Sequence, residues 1–349
     1  MSRPVYALWA ASLLLGAVAV WKFQPSEPNQ AVATTGATAG VTTPDVEGDG
    51  VADYARDEPI QPLPRVRDVD QRQARLGRRL FHDPRLSRGG AISCATCHDL
   101  TKGGADGMVR SRGHDGAEGT VNTPTVFNSR FNFKQFWDGR AETLEEQVDG
   151  PITNVVEMAA DWPTIVATLG SDPSYDAAFR DAYADGVTPA NVRKAIASFE
   201  SSLTTPDSRF DRYLRGDRTA ITDEEKRGYE LFKDLGCTTC HQGVNVGGNM
   251  FQTMGRMGDY FADRGHLTDA DLGRYNVTKQ ARDRFKFKVP SLRNVTLTAP
   301  YLHDGQAKTL ERAVAIMARY QLGHDLAPAE SHLLVAFLAT LTGEYRDGS

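Results

Sequence analysis

The chain has 349 residues, enough for about two domains of ordinary size. Acidic side chains outnumber basic ones by 45 to 40, and the net charge of −5 argues against a nucleic-acid partner held by a broad positive field. Apolar residues make up 40% of the chain, a globular composition, and four cysteines are too few to staple a scaffold of this size with disulfides.

The N-terminus has the form of an export segment. Residues 4–21 (PVYALWAASLLLGAVAVW) carry no charge, and Arg3 and Lys22 flank them. Residues 1–22 are therefore expected to be either a cleaved signal peptide or an uncleaved membrane signal-anchor. Residues 23–64 are rich in Pro, Gly, Ala and Thr and lack an apolar period, which predicts a flexible tether. The rest of the protein is expected to lie outside the cytoplasm.

Apolar residues at helical spacing predict a mainly helical fold from about Arg65 onward. Thr222 followed by Glu225 fits a capping box, and runs with a period of two are scarce, so little β-structure is expected. Two long loops, 99–140 and 242–300, need something besides regular structure to order them. The helices are predicted at about 71–81, 162–170, 174–184, 190–203, 222–235, 309–320 and 328–341.

The chain also contains an internal repeat. Gly77–Phe81 precedes one cysteine motif, and the similar segment Gly228–Phe232 precedes a second. Further on, Asp138–Glu145 matches Asp304–Glu311, so each copy runs helix, cysteine motif, long loop, Asp-Gly turn and helix. Two copies of one domain explain this order, with a seam between about 205 and 221.

All four cysteines fall in two CxxCH motifs, Cys94–His98 and Cys237–His241. This spacing lets each thiol add to one vinyl group of a haem while the adjacent histidine reaches the iron. Zinc sites draw four ligands from paired motifs and thioredoxin-like CxxC motifs need a βαβ unit, so both interpretations fit less well. We therefore predict two tandem cytochrome c-like domains, at 65–210 and 211–349, each with one covalently attached c-type haem. Attachment is expected at Cys94, Cys97, Cys237 and Cys240, with His98 and His241 as iron ligands.

The sixth ligands of the two irons are expected to differ. The matched Asp-Gly turns pair Met317 with Pro151, and only the methionine can bind iron. A His/Met pair raises the potential of an iron and suits electron transfer, whereas the first iron is left open or capped by something removable. Ordinary packing remains an alternative for Met317, and rival sulfur ligands are Met250, Met254 and Met257.

Four side chains near the first motif suit peroxide chemistry, and each has a plainer alternative. His114, close to two glycines, is either a removable cap on the first iron or a solvated loop residue. Glu157 lies in an apolar run that would raise its pKa, so it could move a proton during O–O cleavage while Gln147 orients the peroxide. Both could equally be solvated helical residues. Trp137 either carries electrons between the haems or simply packs.

The sequence resembles the bacterial di-haem cytochrome c peroxidases over about residues 70–345. The combination and order of the matching segments carry this resemblance, because only the haem motifs are specific by themselves. The segments are LGRRLF-HDPRLS before Cys94, SCATCHD, NTPT at 122–125, FWDGRAETLEEQ at 136–147, EM at 157–158, GCTTCH at 236–241, VPSLRN at 289–294, PYLHDG at 300–305 and the helix ending at Met317.

The resemblance implies a division of labour between the haems. The haem on His98 would be the low-potential peroxidatic centre, with His114 as its displaceable distal ligand. The haem on His241 would be the high-potential centre that accepts electrons, with Met317 as its axial ligand.

The resemblance also implies roles for residues between and beside the haems. Glu157 and Gln147 match the catalytic pair of the family, and Trp137 matches its tryptophan between the haems. A calcium ion lies between the domains in the family. The matching positions here are Asn122, together with the carbonyls of Thr298 and Pro300.

The function implied is a peroxidase that reduces hydrogen peroxide to water with electrons from a small cytochrome c or cupredoxin. The family resemblance implies a homodimer in the periplasm, either free or tethered to the inner membrane by the N-terminal segment. One alternative is a related di-haem oxidase that matures a tryptophan-derived quinone in a partner protein, but that group carries Tyr where this chain has Met317. The other is a di-haem electron-transfer cytochrome, against which His114, Glu157 and Pro151 count.

Overall fold

The structure is a computed structural model, and it describes residue 55, residues 57–66 and residues 68–345. The predicted signal peptide or anchor at 1–22 and the predicted tether up to residue 54 lie outside the described residues. Among the helices that the structure describes, none combines the length and the hydropathy of a membrane span.

Helices dominate the described part of the chain and sheet is scarce, as predicted. Two short strands, β1 (Phe251–Thr253) and β2 (Lys286–Lys288), pair antiparallel with Gln252 opposite Phe287. The α-helices are α1 (Gln71–Phe81), α2 (Cys94–Cys97), α3 (Leu144–Thr153), α4 (Trp162–Gly170), α5 (Pro173–Ala182), α6 (Pro189–Ser202), α7 (Arg209–Leu214), α8 (Asp223–Asp234), α9 (Tyr260–Arg264), α10 (Tyr275–Thr278), α11 (Leu310–Met317) and α12 (Pro328–Ala339).

All the helices predicted from apolar spacing are present. α1 and α4 have the predicted bounds, and α5, α6, α8 and α12 differ by one or two residues at one or both ends. α11 ends three residues before the predicted position and continues as a π-helical turn at Ala318–Leu322. The predicted capping box is confirmed, because Thr222 Oγ1 accepts from Glu225 N while Glu225 Oε2 accepts from Thr222 N. The spacing does not predict α3, which has Pro151 in its interior, or α7, whose 6 residues are too few to show a period.

The two halves that repeat in the sequence also pack their helices in the same way. In the first half (71–205), α1 packs along α6, and a Cβ on Gly77 would collide with the carbonyl oxygen of Ala195. In the second half (206–345), α8 packs along α12, and Gly228 meets the carbonyl oxygen of Leu333 in the same way. Each helix pair therefore has a glycine where the two backbones approach most closely.

The Asp-Gly turns repeat as well. The antiparallel bridge Gln135–Ala141 closes the first turn, and the bridge Tyr301–Ala307 closes the second. A threonine then caps the helix that follows each turn, Thr143 for α3 and Thr309 for α11. The structure thus supports the internal alignment of the two halves.

Two main apolar cores follow this repeat. The first core joins α1, α3, α4, α5 and α6 through buried side chains such as Leu80 and Phe179. The second joins α7, α8 and α12 through Phe210, Tyr229 and Phe337. α7 therefore packs as a whole in the second core, although the predicted boundary between residues 210 and 211 divides it.

The last part of the predicted tether is packed rather than loose. Ile60 and Leu63 are fully buried in or beside the second core, and the buried guanidinium of Arg293 donates to the backbone of this segment. The prediction of a flexible tether over 23–64 is therefore wrong for residues 57–64, which we call the N-terminal strap. The apolar residues of the strap complete the core of the second half. They are too few to show the apolar periodicity from which a packed segment could be predicted.

Candidate functional site

A cavity of about 270 Å³ lies beside the second cysteine motif. Its wall contains Cys237, Cys240, His241 and Met317, together with many apolar side chains. His241 Nδ1 lies 3.2 Å from the carbonyl oxygen of Val246, which orients the ring and leaves Nε2 to bind a metal. Burial lowers the pKa of His241 to about 4, so its ring is neutral at neutral pH and can act as a ligand.

Two methionines share the wall of this second-half cavity. Met317 ends α11, and Met254 directly follows β1. Met257 is 64% exposed, and Met250 is not part of the wall that the described residues form. The structure therefore reduces the candidate sulfur ligands to Met317 and Met254, and Met317 has the predicted position on a helix.

Lys288 in β2 supplies a buried positive charge to the same cavity. Its side chain is buried, and burial lowers the pKa of the amine to about 8. A buried amine is stable when an anion lies close to it. A haem carries two carboxylate groups, so the lysine, the two thiols and the neutral histidine together fit a haem in this cavity.

A second cavity, of about 520 Å³, lies beside the first cysteine motif. Cys94, Cys97 and His98 line it, and His98 Nδ1 lies 3.2 Å from a backbone carbonyl oxygen, as in the other half. Burial raises the pKa of the Cys94 thiol to about 12 and lowers the pKa of His98. Pro151 lies in this wall at the position that Met317 has in the other. This cavity also fits a haem, but the residue equivalent to Met317 cannot bind iron.

Glu157 and Gln147 both lie in the wall of this first-half cavity. Asn154, which follows α3, donates from Nδ2 to Glu157 Oε1 at 2.7 Å, a contact that the sequence does not indicate. Burial raises the pKa of Glu157, although the hydrogen bond from Asn154 and the charge of Arg140 act in the opposite direction. A buried, oriented carboxyl of this kind can accept a proton and return it.

The loop that carries His114 is docked on the Glu157 segment. His114 N donates to Glu157 O at 2.7 Å, and a Cβ on Gly113 would collide with the carbonyl oxygen of Val156. Gly113 therefore permits a close approach of two backbones. The imidazole lies outside the described cavity wall, with Nε2 3.3 Å from a carboxylate oxygen of Asp115. The structure thus puts His114 next to the cavity but does not bring its ring to His98.

Trp137 lies in the walls of both cavities. Its Nε1 donates to the carbonyl oxygen of Asn122 at 2.9 Å. Its ring meets that of His303 edge to face, with 6.4 Å between the ring centroids. The indole is therefore held in one orientation between the two cavities.

The three residues expected to bind calcium share one region. Asn122 lines both cavities, and Thr298 and Pro300 join it in the wall of the second-half cavity. Asn122 Nδ2 donates to the carbonyl oxygen of Met108 at 2.9 Å, which leaves Oδ1 as the side-chain atom for a cation. Amide and carbonyl oxygens are ligands that Ca²⁺ prefers, so the donor set fits.

A buried cluster beside Trp137 has no counterpart in the sequence prediction. Ligand-type atoms of Asp271, His303 and Asp304 lie within 4.8 Å of one another. Arg264 donates to Asp271 Oδ2 at 2.7 Å and to Asp304 Oδ2 at 2.6 Å, so its guanidinium already supplies the positive charge. Burial would raise the pKa of Asp271, but hydrogen bonds from His303, Arg264 and Thr268 hold it well below its usual range. We interpret this cluster as an ion-pair network rather than a metal site.

Known peroxidases are similar to this chain over most of its length. A family profile described as di-haem cytochrome c peroxidase matches residues 71–219. Cytochrome c peroxidase Ccp of Escherichia coli is 50% identical over 291 residues, which cover 83% of this chain and 62% of that protein. Cytochrome c551 peroxidase of Nitrosomonas europaea is 46% identical, over 84% of this chain and 86% of that protein.

MauG-type proteins are also similar, at lower identity. The methylamine utilization protein MauG of Methylorubrum extorquens is 34% identical, over 98% of this chain and 95% of that protein. The crystal structure of a MauG-like protein associated with microbial copper homeostasis matches with a TM-score of 0.72 and 30% identity, over 82% of this chain and 94% of that one. The di-haem peroxidase BthA of Burkholderia thailandensis shares the fold, with a TM-score of 0.68 and 24% identity over 80% of this chain and 88% of that one. The chain therefore belongs to the family of bacterial di-haem cytochrome c peroxidases, and its identity to the peroxidases of Escherichia coli and Nitrosomonas europaea exceeds its identity to MauG.

Proposed function

We propose that this chain reduces hydrogen peroxide to water at the first-half cavity, with electrons that enter at the second-half cavity. The observation that carries the proposal is the asymmetry of the two walls. Both contain two thiols and a half-buried histidine, but Glu157 and Gln147 line only the first, where Pro151 replaces the methionine. The quinone-forming oxidase is the weaker alternative, because Met317 stands where that group carries Tyr and the MauG relatives are less similar.

Two c-type haems would supply irons that exchange single electrons, and the first would also supply the position where peroxide binds. The thioethers would form in the first half at Cys94 and Cys97, and His98 would bind that iron. In the second half, the iron ligands would be His241 and Met317. Attachment in that half would use Cys237 and Cys240.

Glu157 would take a proton from the nearer peroxide oxygen and return it to the departing one. Asn154 holds the carboxyl by the hydrogen bond to Oε1, and burial raises the pKa of Glu157, which favours its role as a proton acceptor. The amide of Gln147 would orient the peroxide. Each turnover consumes two electrons and two protons and releases two waters.

His114 would act as the removable ligand of the first iron. The hydrogen bond from His114 N to Glu157 O fixes its backbone beside the cavity, so the movement would be confined mainly to the side chain and the Asp115–Gly116 turn. In the described arrangement His114 Nε2 lies 3.3 Å from a carboxylate oxygen of Asp115, so the imidazole would have to turn away from Asp115 to bind the iron.

Trp137 would carry electrons from the second haem to the first. The electron donor would be a small cytochrome c or cupredoxin, and the enzyme would work in the periplasm as a homodimer, free or tethered by residues 1–22. A calcium ion would bind at Asn122, Thr298 and Pro300. We also propose two haem domains with their boundary before α7, because that helix packs in the second core.

The test is peroxide turnover by the haem-loaded protein with a reduced small c-type cytochrome, with and without one-electron pre-reduction. We expect turnover after pre-reduction, together with one high-spin haem in the spectrum of the half-reduced protein. Two permanently six-coordinate haems and no turnover would instead identify an electron-transfer cytochrome.

A further inference from the structure

Glu200 is a buried acid that the proposed mechanism does not use. It lies near the end of α6, its side chain is only 5% exposed, and it lines the first-half cavity together with His98 and Glu157. Its Oε2 is buried and has no hydrogen-bond partner among the residues that the structure describes. The carboxyl therefore lies in the wall of the cavity with one oxygen unpaired, although a buried polar atom is normally hydrogen-bonded.

The internal repeat shows what the other half has at this position. The glycine of α1 lies against Phe199 of α6, and the glycine of α8 lies against Phe337 of α12 in the same way. The next residues along these helices, Glu200 and Leu338, are therefore equivalent. Leu338 is 3% exposed and lines the second-half cavity. A carboxyl thus stands in the proposed peroxide-reducing half where an apolar side chain stands in the electron-accepting half.

The charged neighbours of Glu200 leave its carboxyl without a compensating cation. Burial alone raises its pKa, to about 8. The guanidinium of Arg130 donates instead to Ser201 O and to a carboxylate oxygen of Asp68. Titratable groups that interact with residues of α6 from the elements around it include Cys94 of α2, His82 after α1, Arg130 of the turn Ser129–Phe131 and Asp149 of α3. The other ionisable side chains in the cavity wall are Cys97, His98, Asp138, Arg140, Glu157 and Asp269.

An electron that enters a haem in this cavity lowers the net charge of the cavity by one. In an environment of low polarity that added negative charge disfavours a nearby carboxylate, but it leaves a protonated carboxyl almost unaffected. The reduced haem therefore favours the protonated form of a buried acid in the same wall. Leu338 gives the second haem no such partner from α12.

We infer that Glu200 takes up one proton from solvent when a haem bound at His98 gains one electron, and releases it when that haem is oxidised. The electron comes from the donor protein through the second haem, and the only bond formed or broken at Glu200 is one O–H bond. The inference rests on the proposed binding of a haem at His98. It makes Glu200 a second proton-holding residue of the site, distinct from Glu157.

The test is the midpoint potential of each haem in the holoprotein, measured from about pH 5 to about pH 9. A one-electron couple tied to one proton changes its potential by about 59 mV for each tenfold change in proton concentration. We expect the potential of the first haem to fall with rising pH, and the slope to approach this value at the alkaline end of the range, where the carboxyl of Glu200 ionises in the oxidised protein. The slope should disappear in E200Q and in E200L, which has the leucine found at the equivalent position of the second half. The potential of the second haem should depend on pH as in the wild type.

Two further variants distinguish Glu200 from the other acid in the cavity wall. E157Q should keep the slope of the first haem, and E200D, which retains an acid, should keep a slope with a shifted midpoint. A reduction-induced infrared difference spectrum of the wild type should contain the C=O band of a newly protonated carboxyl, and E200Q should lack it. A flat wild-type potential, or a slope that survives E200Q and disappears in E157Q, would overturn the inference. Peroxide turnover of the same proteins tests the proposed function separately, because the potential requires bound haem but no peroxide.

Discussion

Trp137 and His303 occupy equivalent positions in the two halves, and their rings meet edge to face with centroids 6.4 Å apart. His303 Nε2 in turn lies 2.7 Å from Asp271 Oδ1, so the indole is the first member of a chain of contacts that leads into a buried ion-pair network. Trp137 also lies in both cavity walls. This series of contacts therefore holds in place the one side chain that is proposed to connect the haems.

Trp137→Phe should slow electron transfer between the haems. The phenyl ring keeps an aromatic contact with His303 but removes the indole N–H that donates to Asn122 O. We expect both haems to load and the transfer rate to fall roughly tenfold, which corresponds to about 1.4 kcal/mol on the barrier. Stopped-flow spectra of the half-reduced protein mixed with peroxide measure this rate. Trp162→Phe is the control, because Trp162 donates to Asp149 outside both walls, and equal rates in the two variants would exclude the proposed path.

Glu157→Gln should remove the proposed proton transfer without removing the haems. The amide is nearly the same size but cannot carry a proton between the peroxide oxygens, and loss of such a group costs roughly 10²- to 10⁴-fold in rate. Steady-state peroxide turnover measures the effect, with haem content checked by absorbance. Glu145→Gln, an exposed change in the first turn of α3, should have full activity. Full activity in Glu157→Gln would mean that another group moves the proton.

His114→Gly should give a protein that reduces peroxide without pre-reduction. The substitution removes the proposed cap but keeps the backbone hydrogen bond to Glu157 O. The measurement compares turnover of oxidised and pre-reduced samples. His266→Gly is a suitable control, because His266 is exposed and already has a positive φ of 51°, which glycine adopts readily. A continued need for pre-reduction in His114→Gly would contradict the proposed role.

Asp271→Asn should destabilise the protein at neutral pH. It removes the charge that pairs with Arg264 and His303, and the loss of one partner from a buried pair costs roughly 3–5 kcal/mol. Denaturant unfolding of the haem-loaded protein at pH 7 measures this cost. Asp325→Asn is the control, because its pair with Arg319 is exposed to solvent and its loss should leave the stability almost unchanged.

The same substitution should change how stability depends on pH. The pKa of Asp271 is lower in the folded protein than the ordinary value of 3.8, so its contribution is complete above that pH and is lost as the pH falls below it. The stability difference between wild type and Asp271→Asn should therefore shrink in acid. A constant difference down to about pH 2 would show that the carboxylate is not what stabilises the network.

Patterns within short stretches of sequence are enough to predict the helices and to recognise both haem-attachment motifs. The apolar period of α1 extends over its whole length, and a CxxCH motif requires no knowledge of distant residues. The alignment of the repeats also predicts that Pro151 would replace Met317, and each residue does lie in the wall of its own cavity.

Contacts between distant segments are what the sequence does not predict. Asp271 pairs with Arg264 at the end of α9, and the same guanidinium binds Asp304, which is 33 residues further along the chain. The sequence does not distinguish Lys288 from the other lysines, and only the position of β2 places it in the cavity wall. Asn154 is close to Glu157 in sequence, but their contact depends on the turn that follows α3. These contacts arise from tertiary packing, which leaves no periodic pattern in the sequence.

The N-terminal strap means that the polypeptide passes between the two cores twice. In topological terms the first half is an insertion within the second, because Ala55 and Ile60 complete a core whose other buried members come after residue 205. A gene fragment cut at the seam would therefore encode a second half in which Arg293 Nη2 loses its acceptor, the carbonyl oxygen of Gln61, and the core loses the buried side chain of Ile60. Rejoining the strap to that fragment through a short linker should restore the core, so use of the second half as a separate module requires a permuted gene rather than a single cut.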